Sequence, residues 1–306
     1  MPHRPRSLLA VIGLLATAVT AGPPTDAPPN RPGGIGGFGI QPPSPTPSDG
    51  AKLARMDLLV GHRSLNPGGE GLLGVRWRIA PKWHLYWRNP GDSGTAPRIT
   101  VTGPDGLKVG EIRWPRPIVF TDAWGDITYG YEKEVVLLVP FTVPATTPPG
   151  EISLGVRAEW LVCKQACLLG EGRGVVPLDI RKGVASPKDP DPTIERALAL
   201  VPKSLKSLRG AVARLEPAEN PERLVIEGPA GTAESVEFVP DLTPGVVAGS
   251  GHPVKGSISE EKFRIEVPLE IEPDNSYGRP LMAAGLVTLG PRPSDPAYRV
   301  EIPLGS

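Results

Sequence analysis

Cysteine and histidine are scarce. The 306 residues include two Cys, at 163 and 167, and four His. Two cysteines cannot form the multi-bridge framework of a small disulfide-stapled fold. They also fall short of a closed zinc site, which takes four ligands. The histidines beyond the N-terminal segment are His62, His84 and His252, and none lies at ligand spacing from the cysteines. No sign of charge is in excess: 33 Lys and Arg balance 33 Asp and Glu. That balance argues against a nucleic-acid partner and against attraction to anionic lipid. Aromatics make up only 5% of the chain. No segment has the 18 or so consecutive apolar residues of a membrane span. Gly-x-Ser-x-Gly, His-Glu-x-x-His and phosphate-loop patterns are all missing, which leaves hydrolytic catalysis without support.

What is present begins with an export signal. Arg4 and Arg6 supply a positive region, Leu8 to Val19 a short apolar run, and Val19-Thr20-Ala21 a small-residue cleavage site. The signal is expected over residues 1–21, and the mature chain is expected to be soluble, exported and free of transmembrane spans. Gly and Pro together form about a quarter of the sequence, and their placement is uneven. Residues 22–50 hold nine Pro and seven Gly in 29 positions, a disordered or polyproline-like tether with nothing to bury.

From Ala51 short strands alternate with turn residues. Val75, Trp77 and Ile79 share one face of a strand, and Pro81 to Arg88 turns into the next. Asn89-Pro90-Gly91-Asp92-Ser93-Gly94 is dense turn chemistry. Thr121 to Tyr131 reads as a loop of aromatics and acids, Glu134 to Phe141 as a strongly apolar strand, and Ile152 to Val162 as an alternating strand that runs into Cys163. No helical pattern interrupts them, so residues 51–182 predict a β-sandwich. Pro187 to Pro192 reads as a hinge. Thr193 to Val201 predicts one helix, with Thr193 as cap and Ile194, Leu198 and Val201 on one face. Hinge and helix span 183–205, and short strands then resume over 206–306 as a second sandwich. The fold class expected is all-β, two immunoglobulin-like β-sandwich domains joined by a short helical linker.

The cysteine pair is either a staple or a reagent. Exported chains meet oxidising conditions, so Cys163 and Cys167 are expected to form a disulfide. Closing a five-residue loop is worth roughly 2 kcal/mol in the chain-entropy model. That makes the spacing a weak staple and a workable switch. Two thiolates also suit Cu(I), so a Cu(I)-binding module stays open as an alternative with no other cofactor implied. A non-catalytic interaction module with a structural disulfide stays open as well.

Four stretches carry a resemblance. They are Trp83-His84-Leu85-Tyr86-Trp87-Arg88-Asn89-Pro90-Gly91-Asp92-Ser93-Gly94, Trp114-Pro115-Arg116-Pro117, Tyr129-Gly130-Tyr131-Glu132, and Trp160-Leu161-Val162-Cys163 through Cys167. Over about Ala51 to Arg181 the chain resembles the periplasmic N-terminal domain of the DsbD/ScsB family of thiol:disulfide reductases. The three-residue gap between the cysteines is similar to the ScsB branch, as is a second β domain downstream. The resemblance implies an immunoglobulin-like sandwich with a redox-active pair, Cys163 and Cys167, at one end. It implies thiol:disulfide interchange in the periplasm, with electrons received from a membrane-embedded partner and passed to thioredoxin-like and other thiol proteins. Family members usually continue into a multi-span membrane domain. This chain ends at Ser306 without one, so a membrane electron transporter of the DsbD type is expected from another chain.

Thiol exchange needs a thiolate and therefore a route for a proton. Asp122, Asp126, Glu132 and Glu159 are candidate shuttles, and Tyr86, Tyr129 and Tyr131 are candidate donors. The resemblance places Thr121 to Tyr131 as a cap over the cysteines, with Trp124 or Ile127 as its apolar lid. Trp83, Tyr86, Trp87 and Trp114 read more simply as core or rim packing than as chemistry, and His84 as a structural histidine.

Overall fold

The computed structural model describes residues 49–183, 191–217, 222–272 and 281–304. The expected signal at 1–21, the tether as far as residue 48 and the hinge at 187–190 lie outside these residues. Asp49 and Gly50, read as the end of the tether, instead open a short helix, α1 (Asp49–Leu53). Gly50 is there because it is pressed on the backbone of Leu169, where a Cβ would come within 2.4 Å of the carbonyl oxygen.

The first sandwich contains β1 (Ala54–Val60), β2 (Ser64–Leu65), β3 (Glu70–Ile79), β4 (His84–Gly91), β5 (Arg98–Thr102), β6 (Lys108–Val109), β7 (Ile118–Thr121), β8 (Ile127–Tyr131), β9 (Glu134–Thr142), β10 (Gly150–Cys163) and β11 (Cys167–Ile180). One sheet has the order β1-β3-β9-β6. The other runs β2-β11-β10-β4-β8-β7, with β5 also on β10. Alternation buries Val75 and Trp77 from the first sheet against Leu85, Trp87, Val156 and Trp160 from the second. Trp77 and Trp160 meet edge to face, with ring centroids 5.6 Å apart.

β9 is apolar without alternation because both its faces are covered. Val135, Leu137 and Val139 enter the core. Val136 and Leu138 pack against α2 (Pro192–Ala199) through Ile194 and Ala197. The helix cap is Asp191 and not the expected Thr193: its carboxylate accepts from the Thr193 amide at 2.7 Å, ahead of Pro192. The buried face is Ile194 and Ala197, while Leu198 is 43% exposed.

Thr121 to Tyr131 is also more regular than its composition suggests. Its second half is β8, and β8 lies so close to β4 that a Cβ at Gly130 would fall 2.0 Å from the Leu85 carbonyl oxygen. Likewise β4 runs on through Asn89-Pro90-Gly91 as an irregular stretch, where a turn was expected.

The second sandwich contains β12 (Lys203–Ser204), β13 (Val212–Glu216), β14 (Glu222–Pro229), β15 (Val236–Pro240), β16 (Val246–Ala248), β17 (Val254–Lys255), β18 (Ser257–Ser259), β19 (Lys262–Ile271), β20 (Met282–Leu289) and β21 (Ala297–Pro303). Its sheets run β12-β21-β20-β15-β17 and β13-β14-β19-β16, with β18 on β19. Phe238, Ile265, Val267 and Val287 lie in the core between them.

The two sandwiches touch through specific polar groups. The Asn89 side chain donates to the Pro240 carbonyl at 2.9 Å, Arg88 pairs with Asp241, and the Arg116 guanidinium donates to the Gly290 carbonyl at 2.7 Å. Val239 and Leu286 of the second sandwich extend the first core. Among the described residues, no helix is long and apolar enough to cross a membrane.

Candidate functional site

β10 and β11 form a long hairpin whose strands pair from Gly150↔Ile180 up to Cys163↔Cys167. The cysteines are thus direct cross-strand neighbours at its closed end and form a disulfide, with Cα atoms 4.1 Å apart. Lys164, Gln165 and Ala166 make the exposed connection. Each strand is 14 residues long and paired throughout, so the hairpin is aligned without the cross-link. This adds to the loop-size argument that the bond is a poor staple.

The two sulfurs sit in different environments. Cys163 is 3% exposed, beside His84 in the register of β4 against β10, whereas Cys167 is exposed. The Tyr86 hydroxyl lies 3.8 Å from Cys167 Sγ and donates towards it, since a disulfide sulfur has no hydrogen to give. Tyr86 is itself buried, and burial pushes its phenol's pKa up while a hydrogen bond with Ser93 opposes the shift. The turn after β4 fixes the ring: Gly94 has φ +96°, and a Cβ there would lie 2.2 Å from Tyr86 Cζ. On the other side His84 meets Tyr86 edge to face at 5.3 Å and stacks on Phe120 at 4.9 Å. Desolvation lowers the pKa of His84, so its ring is neutral at pH 7.

The other sequence-predicted residues fall elsewhere. Asp122 organises the β7–β8 turn: its carboxylate accepts from the amides of Trp124 at 2.8 Å and Asp126 at 3.0 Å. Trp124, at the tip, is 89% exposed, and an indole so exposed shields no neighbour in this conformation. The Tyr129 hydroxyl donates to the Gly251 carbonyl and that of Tyr131 to the Pro115 carbonyl, both at 2.9 Å. Burial raises the pKa of both phenols, which hold their protons at neutral pH. Glu132 pairs with Lys133 and Glu159 with Arg157. Among the described residues, no three or more His, Cys, Asp or Glu side chains come together as a metal site would need. Phe120 escaped the sequence reading, and Ser93 was read only as part of a turn. Their signal is topological, because β7 and the turn after β4 are brought to His84 and Tyr86 only by strand order.

Residues 57–178 match the family model described as the N-terminal domain of the thiol:disulfide interchange protein DsbD. The first sandwich is a DsbD N-terminal domain. No curated protein matches the chain. Among solved structures, the N-terminal periplasmic domain of ScsB from Proteus mirabilis is similar with a TM-score of 0.56 and 20% identity, covering 84% of this chain and 96% of that one. An overlap of that extent takes in both the DsbD N-terminal domain and the second sandwich, and it shows their fold. A type I cohesin from Pseudobacteroides cellulosolvens is similar over 44% of this chain and 96% of its own, at 13% identity and a TM-score of 0.26, too low to add to the fold. The match to a thiol:disulfide interchange family is a property of residues 57–178, and the cysteine pair lies at the end of that sandwich.

Proposed function

We propose that the chain is an exported relay of electrons between a membrane reductase and periplasmic thiol proteins, working through Cys163 and Cys167. The observation that carries this reading is the asymmetry of the pair: an exposed Cys167 with a phenol 3.8 Å from its sulfur, and a Cys163 that is 3% exposed. Sulfur exchange requires an attacking thiolate to approach along the S–S axis, and only an accessible sulfur allows that.

In the reduced chain the Cys167 thiolate attacks one sulfur of the partner's disulfide. A Cys167–partner bond forms, the partner's S–S bond breaks, and the released partner sulfur takes a proton. Cys163 then loses its proton and attacks Cys167 Sγ. The Cys163–Cys167 disulfide forms, and the partner leaves as a dithiol, having gained two electrons and two protons. Dithiol attack on Cys167 Sγ by a membrane electron transporter of the DsbD type, supplied by another chain, restores the reduced pair. Tyr86 favours Cys167 as attacker, because a hydrogen bond donated to a thiolate stabilises the charged form. Thioredoxin-like proteins fit the partner role, since they present an accessible disulfide at the surface.

The reading is tested by mixing the reduced chain with an oxidised thioredoxin-fold protein and counting free thiols on each by mass after alkylation. Loss of two thiols from the chain matched by gain of two on the partner is the expected result. If no thiols transfer over hours while dithiothreitol reduces the same partner, the disulfide is a structural cross-link.

A further inference from the structure

β4 has two jobs along its length. Its first residues, His84 and Tyr86, face the cysteines, and the chain just beyond its end grips the second sandwich. Asp92 is the point of contact. Its backbone amide donates to the Ile127 carbonyl at 2.8 Å, and its carboxylate accepts from the Ile127 amide at 2.7 Å. The same carboxylate accepts from His252 Nε2–H, 3.1 Å away. The bond to Ile127 is the main cause of a lowered Asp92 pKa, so the acceptor is ionised at neutral pH.

His252 is presented by an unusual turn. Gly249, Ser250 and Gly251 all have positive φ, at 60°, 53° and 81°. For Ser250 that conformation is costly, and such residues persist where surrounding contacts enforce them. The enforcing contacts are visible: Ser250 Oγ donates to Glu270 at 2.9 Å, and the Gly251 carbonyl accepts from Tyr129 of the first sandwich. The turn is shaped to meet β8 and Asp92.

We propose that the second sandwich sets the reactivity of Cys167 through a latch, His252 on Asp92, which holds the Asp92–Gly94 turn and with it the Tyr86 phenol against the sulfur. The route runs from His252 to Asp92, then to Gly94 two residues on, which lies close against the Tyr86 ring, then from Tyr86 to Cys167. His252 is a positioning residue, since it touches neither sulfur. The proposal deepens the relay reading and rests on it, because a latch matters only if Cys167 is a reacting thiol. The effect is modest in size, as both latch side chains are partly exposed, His252 at 45% and Asp92 at 34%.

The test is a double-mutant cycle in the reduced full chain, with the rate of Cys167 alkylation by iodoacetamide at pH 7 as readout. His252→Ala is expected to slow alkylation roughly two- to fivefold, the range of an exposed charge-assisted contact. Tyr86→Phe is expected to slow it at least as much, and the double variant no more than Tyr86→Phe alone. His252→Gln keeps an N–H donor near the place of Nε2 and is expected to restore the wild-type rate. Urea midpoints of all variants report whether the fold is intact. Additive effects, or an unchanged rate in His252→Ala beside a slowed Tyr86→Phe, would overturn the latch and leave the relay standing. A wild-type Cys167 no more reactive than a free cysteine would overturn both.

Discussion

Cys163→Ser is expected to turn the chain into a trap for its partners. The remaining Cys167 is exposed and keeps its phenol, so it still attacks, but the chain has no second sulfur of its own to resolve the adduct. Incubated with an oxidised thioredoxin-fold protein, the variant should accumulate a mixed disulfide visible on a non-reducing gel. Cys167→Ser leaves the sulfur that is 3% exposed, with His84 as its neighbour across the strand pair. Burial both raises a thiol's pKa and blocks its approach, so this variant should react roughly a hundredfold more slowly with iodoacetamide and form no adduct. Equal rates for the two variants would contradict the assignment of Cys167 as the attacking sulfur.

The second large effect concerns the contact between the sandwiches. Asp241 has a side chain only 8% exposed, and its ion partner is Arg88, which also lies over the Trp87 ring at 5.4 Å. Arg88→Ala strands a buried carboxylate, a loss of about 3 kcal/mol at pH 7. The sign of its pH dependence follows from the shift already present. Burial raises the pKa of Asp241 above its unfolded value, with Arg88 opposing. A carboxyl raised in the folded state adds stability below its unfolded pKa and loses it as pH rises through the folded one. Without Arg88 that folded pKa climbs further. The variant's deficit should therefore be small near pH 4 and grow as pH rises to 7, as read from urea midpoints at both values. An equal deficit at the two pH values would assign the loss to packing on Trp87 instead.

Much of this was legible in the sequence, and the exceptions share a cause. The strands show because alternation and turn residues are local signals, as in Val75, Trp77 and Ile79. The cysteine pair shows because nothing else in the chain has its chemistry. β9 is recognisable as buried, yet the reason for its unbroken apolar run, α2 on its outer face, is a contact more than 50 residues away in sequence. The stretch Trp83 to Gly94 reads as one motif. It serves two surfaces, with Tyr86 on the disulfide and Arg88, Asn89 and Asp92 on the second sandwich. Tyr129 and Tyr131 carry the same functional group as Tyr86, and only the fold tells them apart, because their hydroxyls are committed to backbone carbonyls. Trp124 reads as a lid by its type and its loop, but it stands in solvent at the tip of a hairpin that Asp122 ties together.

The central claim is that the Cys163–Cys167 bond is made to be broken. Equilibrating the chain with glutathione mixtures, or with dithiothreitol for lower potentials, and measuring the fraction reduced gives its reduction potential. The relay reading predicts a value well above about −300 mV, in the range where thiol proteins exchange electrons with one another. A value below that range would mark the bond as a structural cross-link and contradict the account.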